Sequence, residues 1–449
     1  MVNSFDRFVI QLRSFLKMIK DTEKTLIEES KKIDLSVMTS IIFDRKFLEY
    51  EIEHKMKELE EDDNGINNKI MKLSTILIER NKIARKLYDV IDVDEDEHND
   101  IRIKSSSGIL PFFLSVSADN SYNSIYQLDE LLFQSLSISL CSAFENFASE
   151  ILKDFYFKYH KGDLVDAKTI SFKSMCDFES IDEVRRYLID IQLEETFRQS
   201  FCDWIKIIER CTGFCSEFSE AKDLISEINE LFLRRNLYVH ANGIVNQYYL
   251  QKVDRKYADS LKTGEKLLIT KEYLVNKIKR VENLGWFILY SYLGKHSEDK
   301  EEWFIPINNK LVTDISSDNE AIPTIFKKAK DDKTLGQSCN VLASINFYLY
   351  YYENGRLDEV KKELEKFDVS VYSIEYKMAK SILLDKDNKH ELIKQYFDSL
   401  TDEGDFLSCF EWPLMRKVRN EEPSKSYFES KINAIFSVQN DEEVLEEIG

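Results

Sequence analysis

The stretch Leu231-Phe232-Leu233-Arg234-Arg235-Asn236-Leu237-Tyr238-Val239-His240-Ala241-Asn242-Gly243 places two permanent cations, an amide and an imidazole behind an apolar helical run. Upstream, Leu224, Ile228, Leu231 and Phe232 recur at three- and four-residue spacings, so a helix is expected to carry the polar cluster. Asn242-Gly243 permits a break after it, because Gly tolerates positive φ. On one uninterrupted helix Asn236 and His240 share a face, while Arg235 sits roughly 140° from His240 at about 100° per residue. A straight helix therefore does not set Arg235 beside His240. A bend near the motif, or a second copy from another subunit, would do so.

The chain holds six histidines, and His240 is the one embedded in a patterned polar cluster. A guanidinium can hold a phosphate bidentately, and histidine moves protons near neutral pH. Together these groups supply what metal-free RNA cleavage requires.

Outward from the motif, apolar stripes predict helices over about Ile125 to Tyr159, Ser180 to Phe197, Arg198 to Cys211, Ile244 to Val253 and Lys271 to Leu293. Lys266-Leu267-Leu268-Ile269 reads as a short extended piece. Near the N-terminus, Phe5, Phe8, Leu12, Phe15, Ile19 and Leu26 mark an amphipathic helix. Helical stretches over 41–59 and 66–90, separated by Asp62-Asp63-Asn64-Gly65, suggest a hairpin or short coiled coil. The acidic run from Asp92 to Asp100 with Ser105-Ser106-Ser107-Gly108 reads as a boundary loop, lacking the Gly turn and bidentate Glu of a calcium loop. Trp303-Phe304-Ile305-Pro306 reads as a loop, and Leu342 to Glu353, Leu357 to Phe367, Ser373 to Leu384 and Glu391 to Leu400 as serial helical hairpins. The expected fold is all-α, with segments 1–100, 101–296 and 297–449.

With 29 Phe and 22 Tyr against 12 Gly and 5 Pro in 449 residues, composition also favours long helices. Sixty-two Lys and Arg against 82 Asp and Glu give a net charge of −20, opposing indiscriminate polyanion binding. Any nucleic-acid site must be a local basic pocket, for which Lys252, Arg255, Lys256 and Lys262 could form the rim; a solvated charged face explains them nearly as well. Seven scattered cysteines suit reduced thiols, and Cys211-x3-Cys215 lacks a second ligand pair for zinc. No signal peptide or membrane segment is apparent, so a cytoplasmic location is expected.

Arg235-Asn236-x-x-x-His240 resembles the R-N-x-x-x-H signature of HEPN (higher eukaryotes and prokaryotes nucleotide-binding) domains. Ser142-Ala143-Phe144-Glu145-Asn146-Phe147 upstream and Lys266 to Leu274 downstream accompany it in order, and the resemblance covers about residues 122–294. It implies a HEPN-like helical bundle, flanked here by the N-terminal hairpin and the C-terminal tetratricopeptide-like hairpins. It also implies a homodimer with two motifs across a cleft, acting on RNA as a metal-independent endoribonuclease without cofactor, in a regulated toxin or anti-phage abortive-infection setting. On that basis His240 assists proton transfer, Arg235 stabilises the phosphorane and Asn236 orients the phosphate or imidazole, leaving a 2′,3′-cyclic phosphate. Glu145 and Arg234 are supporting candidates. The alternative is a non-catalytic dimerisation module whose helical flanks hold a protein partner or inhibitor.

Overall fold

The computed structural model describes residues 1–21, 91–95, 101–105, 109–159, 169–317 and 319–433. The stretches 41–59 and 66–90, the turn between them and Leu26 lie outside these residues. The chain is predominantly helical and divides into two compact units. One comprises residues 1–13, 137–267 and 272–449, the other 14–136 and 268–271.

In the smaller unit, β1 (Ile91–Glu95) pairs antiparallel with β2 (Ile101–Ser105), Val93 facing Ile103 and Glu95 facing Ile101. A boundary loop was the expectation for this stretch. Ile91 and Val93, like Ile101 and Ile103, alternate at period two, a strand signal that the surrounding carboxylates obscure.

Three helices enter the larger unit, α1 (residues 2–21) with its residues up to 13, α2 (Ile109–Tyr159) with those from 137, and α7 (Lys271–His296) with those from 272, and these parts meet there. Phe5 lies 4.5 Å from Trp286 and Phe8 stacks on Phe147 at 4.9 Å. Each buried phenylalanine contributes roughly 1.5–3 kcal/mol. Gly285 makes the approach feasible, since a Cβ there would lie 2.8 Å from Phe8 Cε1. Behind this core run α3 (Ile181–Phe197), capped by Ser180, and α4 (Phe201–Thr212), whose Trp204 meets Phe144 and Phe232 at 5.8 Å each. The motif helix α5 (Ala221–Ala241) follows, then α6 (Gln247–Lys252), shorter than its sequence suggests because Ile244 leaves the helix to bridge Lys266.

The segment around Pro306 is a helix, α8 (Lys300–Thr313), where a loop was expected. The Asp299 carboxylate accepts the backbone N–H groups of Glu301 and Glu302 at 2.9 and 3.1 Å, and Trp303, Phe304, Ile307 and Leu311 are buried along one stripe. N-capping and burial together offset the donor lost at Pro306. Beyond it, α9 (Ala321–Asp331) packs on α10 (Gln337–Glu353), and α11 (Ile374–Leu383) packs on both α10 and α12 (Lys389–Asp398).

Candidate functional site

The helix α5 is anchored by a buried ionic cluster around Glu230, which is fully buried. Its Oε1 accepts from Arg234 Nε at 2.7 Å and from the Tyr249 hydroxyl at 3.0 Å. Its Oε2 accepts from the Tyr273 hydroxyl at 2.8 Å and pairs with Lys277 Nζ at 3.0 Å. Burial alone would raise the Glu230 carboxyl, but Arg234, Lys277 and the Tyr273 hydroxyl together hold it below the ordinary value. The Arg234 guanidinium lies 3.9 Å from the Tyr273 ring centre. Arg234 is thus built into the interior, and the cluster ties α5 to α6 and α7.

One residue on, Arg235 points roughly 100° away and meets α2. Its Nη2 donates to Glu145 Oε1 at 2.7 Å, and both side chains are 24% exposed. Its Nε is buried without a hydrogen-bond partner. Burial pushes the Glu145 carboxyl up, with the charge and hydrogen bond of Arg235 pulling the other way. One turn before Glu145 on α2, burial pushes the Cys141 thiol up to about 12, opposed by Arg235. A neutral thiol and a carboxylate therefore frame the guanidinium.

Asn236 and His240 are exposed, one turn apart on the final turns of α5. Neither has a hydrogen bond or ion pair among the described residues. The helix continues unbroken to Ala241, and Asn242 (φ 48°) and Gly243 (φ 76°) then end it in left-handed conformation. Because the break follows His240, it does not swing His240 round to Arg235. Within one chain the structure brings Arg235 to Glu145 and sets Asn236 beside His240, but it does not join the two pairs face to face.

Tyr238 packs over Gly243, where a Cβ would lie 2.8 Å from its Cε1, and its hydroxyl donates to the Leu267 carbonyl. This holds the turn after α5, with Leu267 N–H donating to the Gly243 carbonyl at 2.9 Å. Val239 and Tyr248 remain 50% and 59% exposed beside the motif. Lys252, Arg255, Lys256 and Lys262 are all exposed in the segment just after it. The Lys252 ammonium lies 6.0 Å from the Tyr248 ring centre.

Sequence reading missed Glu230, Tyr249, Tyr273 and Lys277 as partners of the motif helix. The one available signal was the Glu230-x-x-x-Arg234 spacing, which sets the two on the same face. Cys211 is buried and its carbonyl meets His296 Nε2 at 2.8 Å. Among the described residues no three His, Cys, Asp or Glu side chains group as a metal site, and no helix is long and apolar enough to cross a membrane. Neither protein-family models, nor curated proteins, nor solved structures yield a match to this chain.

Proposed function

We propose that this chain is a metal-independent endoribonuclease of the HEPN type. It acts as a homodimer, in a regulated toxin or abortive-infection setting, with its helical flanks available to a partner or inhibitor. The observation that carries this reading is the placement of Asn236 and His240, exposed and unpartnered at the end of a helix whose adjacent Arg235 is held at the bundle wall. Exposed Val239 and Tyr248 provide apolar surface that a second copy can cover. Facing motifs across that surface supply His240 from one chain and Arg235 from the other.

The 2′-oxygen attacks phosphorus, the bond to the 5′-oxygen breaks, and a 2′,3′-cyclic phosphate and a 5′-hydroxyl result. His240 takes the 2′-hydroxyl proton or protonates the leaving oxygen, and Asn236 orients the phosphate. Arg235 retains N–H donors beyond the one given to Glu145, and these stabilise charge on the phosphorane. Lys252, Arg255 and Lys256 supply local positive charge in a chain of net charge −20.

Purified protein incubated with tRNA and total RNA in EDTA should release fragments with cyclic phosphate ends, and His240→Ala should abolish them. Cleavage persisting in that variant rejects the site. The Arg235–Glu145 ion pair at 2.7 Å favours a second reading, in which the arginine is structural and the bundle is an adaptor. In that case His240→Ala leaves growth and phage-challenge phenotypes intact, while deletion of the region after Ser297 removes them.

A further inference from the structure

On α5 a row of polar side chains ends at the motif. At about 100° per residue, Lys222, Asn229, Asn236 and His240 fall within about 40° of one another around the helix axis. The carboxylates of α5, Asp223, Glu227 and Glu230, lie about 100° to 160° round from Asn229, so the row itself carries no negative charge. Lys222, Asn236 and His240 are exposed and Asn229 is partly exposed. At about 1.5 Å per residue, Asn229 lies about 16.5 Å and Lys222 about 27 Å along the axis from His240.

The row faces outward between two helices. Phe232, about 60° to one side of Asn229, stacks on Phe201 of α4 at 4.8 Å. Leu233, about 40° to the other side, packs against the cluster of Leu237, Val245, Tyr249 and Val253. Here α6 runs antiparallel to α5: the Tyr249 hydroxyl reaches Glu230 at 3.0 Å, and Asp254 further along accepts from Ser226 Oγ at 2.9 Å. Lys252 is thereby carried to the level of Asn229.

From the other side, Cys202 Sγ of α4 donates to Asn229 Oδ1 at 3.2 Å. Burial pushes the Cys202 thiol up, so it stays a donor; Lys206 and Lys252 pull the other way, and Asp203 adds to the rise. With Oδ1 so engaged, Asn229 Nδ2 makes no hydrogen bond among the described residues and is not sealed from solvent. The nearby carboxylates are already held, Asp203 by Lys206 at 3.8 Å and Ser200 Oγ at 2.6 Å, and Asp254 by Ser226. Lys222 and Lys252, both exposed, have no hydrogen bond or ion pair among the described residues. The row thus offers amide and ammonium donors without a competing anion, and lysine ammonium groups serve as point charges for phosphate. A straight line of such donors suits one extended strand, whereas a duplex is recognised across its groove by shape.

We propose that a single RNA strand lies along this row, running from the scissile phosphate at His240 toward the start of α5, with one phosphate taken by Asn229 Nδ2 and Lys252 and a further one by Lys222. This rests on the reading of His240 as a cleaving residue and gives that reading a substrate class: unpaired RNA that extends to one side of the cut.

Fluorescence anisotropy of the full chain with a labelled 2′-O-methyl RNA strand, which cannot be cleaved, tests the path separately from the reaction. The strand should bind with Kd below about 0.1 mM at low salt, and several-fold tighter than its duplex. Lys222→Gln/Lys252→Gln should weaken binding about tenfold or more and lower the slope of log Kd against log salt by about 1.4, at about 0.7 per phosphate contact on a single strand. Lys361→Gln/Lys362→Gln, exposed lysines of the C-terminal hairpins, should change neither. Asn229→Asp keeps an acceptor for Cys202 but adds a negative charge to the row, and should weaken binding with an unchanged melting temperature. Wild-type affinity or an unchanged slope in the Lys222/Lys252 variant overturns the proposal, as does equal binding of the duplex or no binding by the wild type. Binding as described without cleavage of ordinary RNA supports the path and counts against the reaction; cleavage with an unaffected Lys222/Lys252 variant does the reverse.

Discussion

Replacing Glu230 by Gln tests the cluster that holds the motif helix. Glu230 is the single anion between Arg234 and Lys277, at 2.7 and 3.0 Å, and it also receives the Tyr249 and Tyr273 hydroxyls. Glutamine keeps one carbonyl oxygen for Arg234 and Tyr249, but turns an amide donor toward Tyr273 and Lys277, leaving two buried cations without a counter-charge. Removing one partner of a buried ion pair costs about 3–5 kcal/mol. Arg234→Met leaves Glu230 paired with Lys277 and both hydroxyls, so its loss is the smaller cost of a hydrogen bond and a ring contact, about 1–3 kcal/mol. Urea unfolding followed by far-UV circular dichroism at pH 7 measures both. Since the Glu230 carboxyl is held below its ordinary 4.5, its stabilisation is complete above pH 4.5 and fades as pH falls through the lower folded-state value. The difference between wild type and Glu230→Gln should therefore shrink only in acid. The reasoning is refuted if Arg234→Met costs as much as Glu230→Gln, or if the gap closes while the pH is still above 4.5.

Gly243→Ala forces alanine to φ 76° and sets its Cβ 2.8 Å from Tyr238 Cε1, costing about 1–2 kcal/mol from the backbone alone. In a double-mutant cycle with Tyr238→Leu, the clash should disappear and the backbone part remain. Burial lowers the pKa of His296, with its bond to the Cys211 carbonyl opposing, so the unfolded chain takes up that proton first as pH falls below 6.5. Acidification through that point should lower the melting temperature of the wild type more than that of His296→Gln. If activity needs two chains, specific RNA cleavage should fall on dilution below the dimer dissociation constant, and a constant specific activity down to fully monomeric protein argues against the shared site.

The helices of the larger unit were legible because their apolar spacing matches the faces they bury: Leu140, Phe144, Phe147 and Ile151 on α2 are all buried as their stripe implies. Pro306 misled because a capping carboxylate and a buried stripe outweigh one missing donor. The β1–β2 pair was hidden by charge, which says more about solvent exposure than about backbone geometry. At the motif, sequence alone placed Asn236 and His240 on one face and Arg235 off it, as the unbroken helix has them. It could not divide the labour between Arg234 and Arg235. That division depends on which carboxylate each side chain meets, and Glu145 lies 90 residues away in the chain from its partner.

Two adjacent arginines on a helix diverge by about 100°, so one face of α5 cannot hold both. Here Arg234 faces Glu230, a site where its charge is matched and its ring contact dry, while Arg235 faces the partly exposed carboxylate of Glu145. A phosphate approaching the motif could displace a partly solvated partner far more cheaply than it could extract a guanidinium from the buried cluster. The same geometry constrains how a reaction could be assembled. With the helix intact through Ala241, the backbone positions of Arg235 and His240 stay about 140° apart around its axis. In the proposed reaction a phosphate touching both draws them from two helices, which is why that reading calls for a second copy.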